Sequence, residues 1–289
     1  METKFRAFQL DSPGSLFSYW KKNTYTLIEA RLPKDGIEVL RKDVQYHGKE
    51  RINTLHITSW DNDHCEINAL TQILNQFRPD KIEIPSYEPD TDSGKSCKRL
   101  ITKYDHIHQK YVYNVTTYDK SKINGLNNGD AWGTSNIVYH SLYDVESHND
   151  MSQIRLFRSA GFNVLSLGDC ESEEITNSLM KKSFIETEVD VLILPHHGAE
   201  NSVLTGPFLD YCTPSLAICS SNYDNEYDHP RPAISQLLSY RDIKSMTTKR
   251  GDVIVYQESS DNQVQAINLV SNNEETEDPF TFITKRNSQ

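Results

Sequence analysis

Apolar and polar residues alternate in short runs along most of the chain. Lys4–Leu10, Leu16–Lys21 and Tyr25–Leu32 read as three short strands with a turn at Ser12-Pro13-Gly14, and Thr54–Ser59 reads as a fourth. Glu66–Phe77 changes period: Ile67, Leu70, Leu74 and Phe77 recur on one face of a helix. Lys81–Pro85 is strand-like, Ser86–Lys98 is rich in turn residues, and a helix is expected from about Cys97 to His106. Tyr111–Thr117 and Asn136–Leu142 read as strands on either side of a glycine-bearing loop at Tyr118–Ser135, long enough for a functional role. A hairpin follows, Gln153–Ser159 and Phe162–Leu167, turning at Ala160-Gly161. Glu171–Phe184 predicts a helix with acidic residues first and Lys181-Lys182 last, the order that suits the helix dipole.

Val189–Leu194 is nearly all apolar, as expected of a strand buried on both faces, and Leu216–Cys219 is a second such run. Pro232–Arg241 predicts a helix, and Ile243–Thr247, Asp252–Gln257 and Val264–Val270 predict closing strands. Residues 271–289 read as a polar tail in which Phe280–Ile283 could add an edge contact. No linker divides residues 1–270, so the pattern predicts one α/β domain of two sheets covered by helices.

Composition narrows the function classes. No apolar run approaches the ~18 residues of a membrane span, and the N-terminus lacks the apolar stretch of a signal peptide. Five scattered cysteines, at positions 65, 97, 170, 212 and 219 and without a C-x-x-C pair, fit a reduced, cytoplasmic protein. With 41 acidic against 30 basic residues the net charge is −11, which disfavours passive electrostatic binding to nucleic acid.

The candidate chemistry sits at strand ends. Ser59-Trp60-Asp61-Asn62-Asp63-His64 puts two carboxylates and an imidazole on one loop, where like charges repel unless they stay solvated or share a cation. Leu167-Gly168-Asp169, Leu194-Pro195-His196-His197-Gly198 and Tyr227-Asp228-His229-Pro230 end or follow later strands. Each has an ordinary structural reading: a solvated acidic turn capping a helix, a Gly-Asp turn, two satisfied structural histidines, a surface loop. Their order favours chemistry, because active sites of α/β sheets form at strand ends. Lys95, Lys98 and Arg99, and also Lys249-Arg250, are candidates for a local basic surface, or simply solvated faces. Trp60 and Trp132 are candidates to stack on a base, with core packing the alternative for Trp60.

In that order the motifs resemble the metallo-β-lactamase superfamily, and within it the hydrolase domain of the competence DNA-uptake channel. The competence group's T-H-x-D-x-D-H stands as Thr58-Ser59-Trp60-Asp61-Asn62-Asp63-His64, its L-L-T-G-D as Leu165–Asp169, its V-P-H-H-G-S as Leu194–Ala199 and its Y-G-H-P as Tyr227–Pro230. Asn149-Asp150-Met151-Ser152 resembles its N-x-x-S element. The first histidine is replaced by Ser59, and the N-terminal D-V-G-Q-G-D stands as Leu10-Asp11-Ser12-Pro13-Gly14-Ser15.

The resemblance implies an αββα sandwich of two mixed β-sheets flanked by helices, with metal ligands Asp61, Asp63, His64, Asp169 and His197. Asp169 would bridge two divalent ions, one of them weakly held because of Ser59. Asp63, His64, His196 and His229 would serve catalysis, the last two facing a phosphate or a leaving oxygen. An oxygen-rich first position favours Mn²⁺, with Zn²⁺ or Mg²⁺ as alternatives. The implied activity is a metal-dependent nuclease or phosphodiesterase acting on DNA, as the effector of an antiviral defence system with a protein partner for delivery. A small-substrate phosphodiesterase or ester hydrolase, and a binding subunit with a decayed site, are the alternatives.

Overall fold

A computed structural model describes residues 2–108, 114–118, 147–258, 263–270 and 275–286. The expected strand Asn136–Leu142, the loop with Trp132 and the start of Tyr111–Thr117 lie outside the described residues.

Two sheets pack face to face. The first runs β14(Glu275–Ile283), β13(Gln263–Val270), β12(Val253–Gln257), β1(Thr3–Ala7), β2(Phe17–Lys21), β3(Thr24–Ile28), β4(Thr54–His56), β5(Lys81–Ile84), β6(Asn114–Thr117). The second runs β11(Lys244–Thr247), β10(Leu216–Cys219), β9(Val191–Ile193), β8(Val164–Ser166), β7(Arg155–Phe157). Both are mixed: β3 to β6 are parallel, as are β8 to β11, and the remaining pairs are antiparallel.

Three apolar layers hold this together. Phe5, Phe17, Tyr19 and Ile28 meet Phe157, Val164, Val191 and Ile193 between the sheets. Outside the first sheet, Leu27, Leu55 and Ile82 pack on α1(Ile37–Tyr46), α2(Ile67–Phe77) and α3(Asp92–His108). Outside the second lie α4(Glu173–Leu179), α5(Ser183–Glu188), α6(Gly206–Cys212) and α7(Pro232–Ser239). Strand β9 shows why its sequence is apolar throughout: Val191 and Ile193 face the other sheet while Leu192 faces the helices. The result is the αββα sandwich.

Several elements depart from the sequence pattern. Helix α1 has no predicted counterpart because a carboxylate, Asp43, interrupts its apolar face. That carboxylate is buried and paired with Arg6 at 2.8 Å, and it accepts from Ser18 and Tyr25. Helix α3 starts at Asp92, five residues before the expected Cys97, because Thr91 Oγ1 accepts from Gly94 N–H and caps its first turn. The single helix expected over Glu171–Phe184 is two, broken at Met180–Lys182. The polar tail contributes β14, paired with β13 along most of its length, so the first sheet extends beyond residue 270.

Candidate metal centre

The parallel strands of both sheets end on one edge of the sandwich, and their exit loops converge there. Strand β4 leads to Ser59–His64, β8 to Gly168-Asp169, β9 to His196-His197 and β10 to Ser220–His229. Donor atoms of Asp63, His64, Asp169 and His197 all lie within 4.8 Å of one another. Ligands at about 2.0–2.2 Å from a cation are necessarily of this order of separation.

The contacts inside the cluster are close, and one of them is not a well-formed hydrogen bond. His64 Nε2 lies 2.7 Å from Asp169 Oδ2, yet it is buried and has no hydrogen-bond partner of acceptable geometry. His197 Nε2 is 3.2 Å from Asp63 Oδ2 and 3.9 Å from Asp169 Oδ1. The opposite edges of both rings are occupied. His64 Nδ1 faces Glu29 Oε1 at 3.2 Å, and His197 Nδ1 faces the Ser220 carbonyl at 3.1 Å. A neutral imidazole that donates from Nδ1 presents a bare lone pair at Nε2. In that tautomer both Nε2 lone pairs would meet carboxylate oxygens, an arrangement that repels unless a proton or a cation lies between them. Two imidazoles and two carboxylates, with outer partners fixing both rings, fit a divalent metal.

Electrostatics agree. Burial pushes the Asp63 and Asp169 carboxyls up, but the neighbouring His64 and His197 rings outweigh it and hold both below the usual carboxylate range. Burial pulls His64 and His197 down, and Asp169 with its neighbouring carboxylates holds both above the ordinary histidine value. Without a cation the four groups compensate as two carboxylates and two imidazolium ions.

Local sequence explains the loop shapes. His196 and His197 both have positive φ, 45° and 56°, and Gly198 follows at 85°. Non-glycine residues in this region cost roughly 1–3 kcal/mol each. Here the turn is held by His196 N–H donating to the Gly168 carbonyl and by Arg231 N–H donating to that of Gly198. Gly14, at φ 140°, leaves no room for a side chain: a Cβ there would lie 2.4 Å from the Asp63 carbonyl oxygen.

Asp61 stands apart from the four clustered donors. Its carboxylate accepts from Ser59 Oγ at 2.8 Å, and its own N–H donates back to that hydroxyl at 3.2 Å. Ser59 is fully buried and shares a hydrogen bond with Tyr87 OH, which also accepts from Trp60 N–H. Trp60 belongs to the core, its Nε1–H donating to the Tyr87 carbonyl. His196 and His229 sit beside the cluster with Asp63, His197 and Tyr227 on the wall of a cleft of about 330 Å³. His196 Nδ1 lies 2.7 Å from Glu171 Oε1, and His229 stacks on Tyr227. Burial, and then the charges of His197 and His196, lower His229 to about 4, so it is neutral at pH 7. Of the basic candidates, Arg250 is paired with Glu277 and lines a separate cleft with Lys34 and Lys249.

Sequence reasoning missed the supports. Glu29 is 2 % exposed; its carboxylate also accepts from the N–H and hydroxyl of Thr58. Arg31 donates to the Asn62 and Pro13 carbonyls and to Ser12 Oγ, stitching the N-terminal loop to the loop that carries Asp63. Ser15 completes this stitch, its N–H donating to the Asp63 carbonyl and its hydroxyl 3.3 Å from His197 Nδ1. The signal for Glu29 and Arg31 was present: two charges inside the apolar run Tyr25–Leu32.

No family model matches the chain. A 90-residue stretch, 31% of the chain, is 33% identical to the competence protein ComA of Neisseria gonorrhoeae, and spans 13% of that protein. Among solved structures, the metallo-β-lactamase fold protein YhfI of Bacillus subtilis superposes with a TM-score of 0.55 at 12% identity, covering 89% of this chain and all of the other. The CmlA β-hydroxylase E377D mutant gives the same TM-score and identity over 87% of this chain and 53% of its own. The chain has the metallo-β-lactamase fold, as its motifs imply.

Proposed function

From a metallo-β-lactamase fold whose strand-end loops bring four metal-type donors together, we propose that the chain is a metal-dependent hydrolase, specifically a nuclease or phosphodiesterase acting on DNA. The observation that carries the hydrolase reading is the convergence of Asp63, His64, Asp169 and His197, each imidazole aimed at a carboxylate and fixed from behind. The likeness of one stretch to a competence protein supports DNA as substrate.

These four residues would hold a divalent cation, which would supply Lewis-acid activation of water and of a phosphoryl oxygen. The chain's own groups do the rest. Glu29 and the Ser220 carbonyl lie against Nδ1 of His64 and His197, which would leave both Nε2 atoms to hold the ion. His229, neutral at pH 7 and on the cleft wall, donates a hydrogen bond from its ring N–H to an oxygen of the reacting phosphate. His196, anchored by Glu171, donates from the same wall to a leaving oxygen. Ser59 and Asp61 satisfy each other, so one well-held ion is favoured over two. Mn²⁺ is our first choice, since half of the donors are carboxylates, and Zn²⁺ and Mg²⁺ are the rivals. A nuclease of net charge −11 gains little from bulk electrostatics. The reading therefore includes a protein partner that delivers DNA, as in an antiviral defence system.

The test is metal analysis and incubation with plasmid, single-stranded DNA and RNA in Mn²⁺, Mg²⁺ or Zn²⁺, beside the Asp63→Ala/His64→Ala variant. Cleavage that needs metal and disappears in the variant is expected. Cleavage unchanged in the variant overturns the site. Metal bound without cleavage of any polymer moves the assignment to a small phosphodiester, for which the 330 Å³ cleft is large enough.

A further inference from the structure

Helix α3 is two-faced. Gly94, Cys97, Ile101 and Tyr104 are buried against the first sheet. Lys95, Lys98, Arg99, Lys103 and His106 recur at helical spacing along the other side and line, with Glu88 and Pro89, an open groove of about 510 Å³. This is one continuous basic stripe, about 16 Å long at 1.5 Å per residue. A single carboxylate lines the groove, Glu88, which pairs with Lys98 and is itself 84% exposed. Lys95 Nζ donates to the Asp90 carbonyl and Arg99 to Ser96 Oγ, and among the described residues neither is paired with a carboxylate. Among the described residues Lys103 has no carboxylate within ion-pair distance. In a chain with 41 acidic and 30 basic residues this is a local reversal of the average sign.

The stripe begins beside the loop that carries Asp63. Ser93 Oγ donates to Asn62 Oδ1 at 3.1 Å, one residue from Asp63, and Gly94 packs under the Trp60 carbonyl. Phosphates of a B-form strand recur at about 3.4 Å along the axis, so the stripe matches on the order of five of them. We propose that the basic face of α3 is the track on which the phosphate backbone of a nucleic-acid substrate lies as a diester enters the cleft. The proposal rests on the phosphodiesterase reading and makes the substrate a polymer.

The experiment is fluorescence anisotropy of the full chain with a labelled DNA oligonucleotide, in chelator, across a salt series. The Lys95→Gln/Lys98→Gln/Lys103→Gln variant should bind at least tenfold more weakly at low salt. Its slope of log affinity against log salt should be shallower by about 0.7–0.9 for each phosphate that is no longer neutralised. A matched variant with the same charge change elsewhere, Lys22→Gln/Lys42→Gln/Lys181→Gln, should bind as the parent does, and thermal melting checks that both variants are folded. Equal weakening in the two variants, an unchanged slope in the first, or weakened binding to phosphatidylserine vesicles instead of DNA would each overturn the track. Hydrolysis of bis(p-nitrophenyl) phosphate by the parent protein separately reads the phosphodiesterase assignment. Its failure leaves the binding result standing on its own.

Discussion

Glu29 Oε1 lies 3.2 Å behind His64 Nδ1, while His64 Nε2 faces Asp169 at 2.7 Å on the other side of the ring. One carboxylate would set the tautomer and the other would help to hold the cation. Glu29→Gln keeps the shape but weakens the grip on the Nδ1 proton. Metal affinity is expected to fall ten- to a hundredfold, as is usual for such outer partners. Titration against a chromophoric chelator measures it, and unchanged affinity would show that Glu29 plays no orienting part.

Stoichiometry separates Asp61 from Asp63, because one carboxylate is engaged by Ser59 and the other faces His197. The purified protein should hold about one tightly bound ion per chain. Asp61→Ala should retain it and Asp63→Ala should lose it. Elemental analysis after dialysis decides, and two tight ions per chain would refute the arrangement.

Metal affinity should fall as pH is lowered. His64 and His197 are held above the ordinary histidine value by their carboxylate neighbours, so each gives up a proton when an ion takes its place. Calorimetry in buffers of different ionisation enthalpy should detect proton release at neutral pH. A binding heat that does not depend on the buffer would contradict this.

Tyr87 links the Ser59 hydroxyl to the Trp60 backbone. Tyr87→Phe leaves both without this partner inside a buried loop, at an expected cost of about 1–3 kcal/mol. Chemical denaturation reads it, and a change below a few tenths of a kcal/mol would mean that water replaces the hydroxyl freely.

His47 stacks on Trp20, and burial lowers it from 6.5 to about 4. Between those values the unfolded chain binds a proton that the folded chain does not. This group's contribution is therefore present above pH 6.5 and lost as pH falls toward 4. His47→Gln should show a shallower decline of stability across that window. Parallel pH profiles for the two proteins would exclude the effect.

Much of the fold was legible in the sequence. Alternating runs marked most of the strands, and the nearly all-apolar Val189–Leu194 marked one buried on both faces, because period and burial are local properties of the chain. Helix α1 was hidden, since Asp43 breaks its apolar face and is tolerated through Arg6, thirty-seven residues away, with Ser18 and Tyr25. Strand β14 was legible only at Phe280–Ile283, as its polar first half depends on pairing with β13.

By itself the sequence determined which residues could bind a metal, because Asp63-His64, Gly168-Asp169 and His196-His197 stand at strand ends whatever the packing. Only the tertiary structure decided which of them meet. It brings Asp63, His64, Asp169 and His197 together and turns Asp61 toward Ser59, and it recruits Glu29, Arg31 and Ser15 as supports. The reason is physical: ligand geometry and ring tautomers depend on distances of a few ångströms between loops far apart in the chain, and those distances exist only once the two sheets have packed.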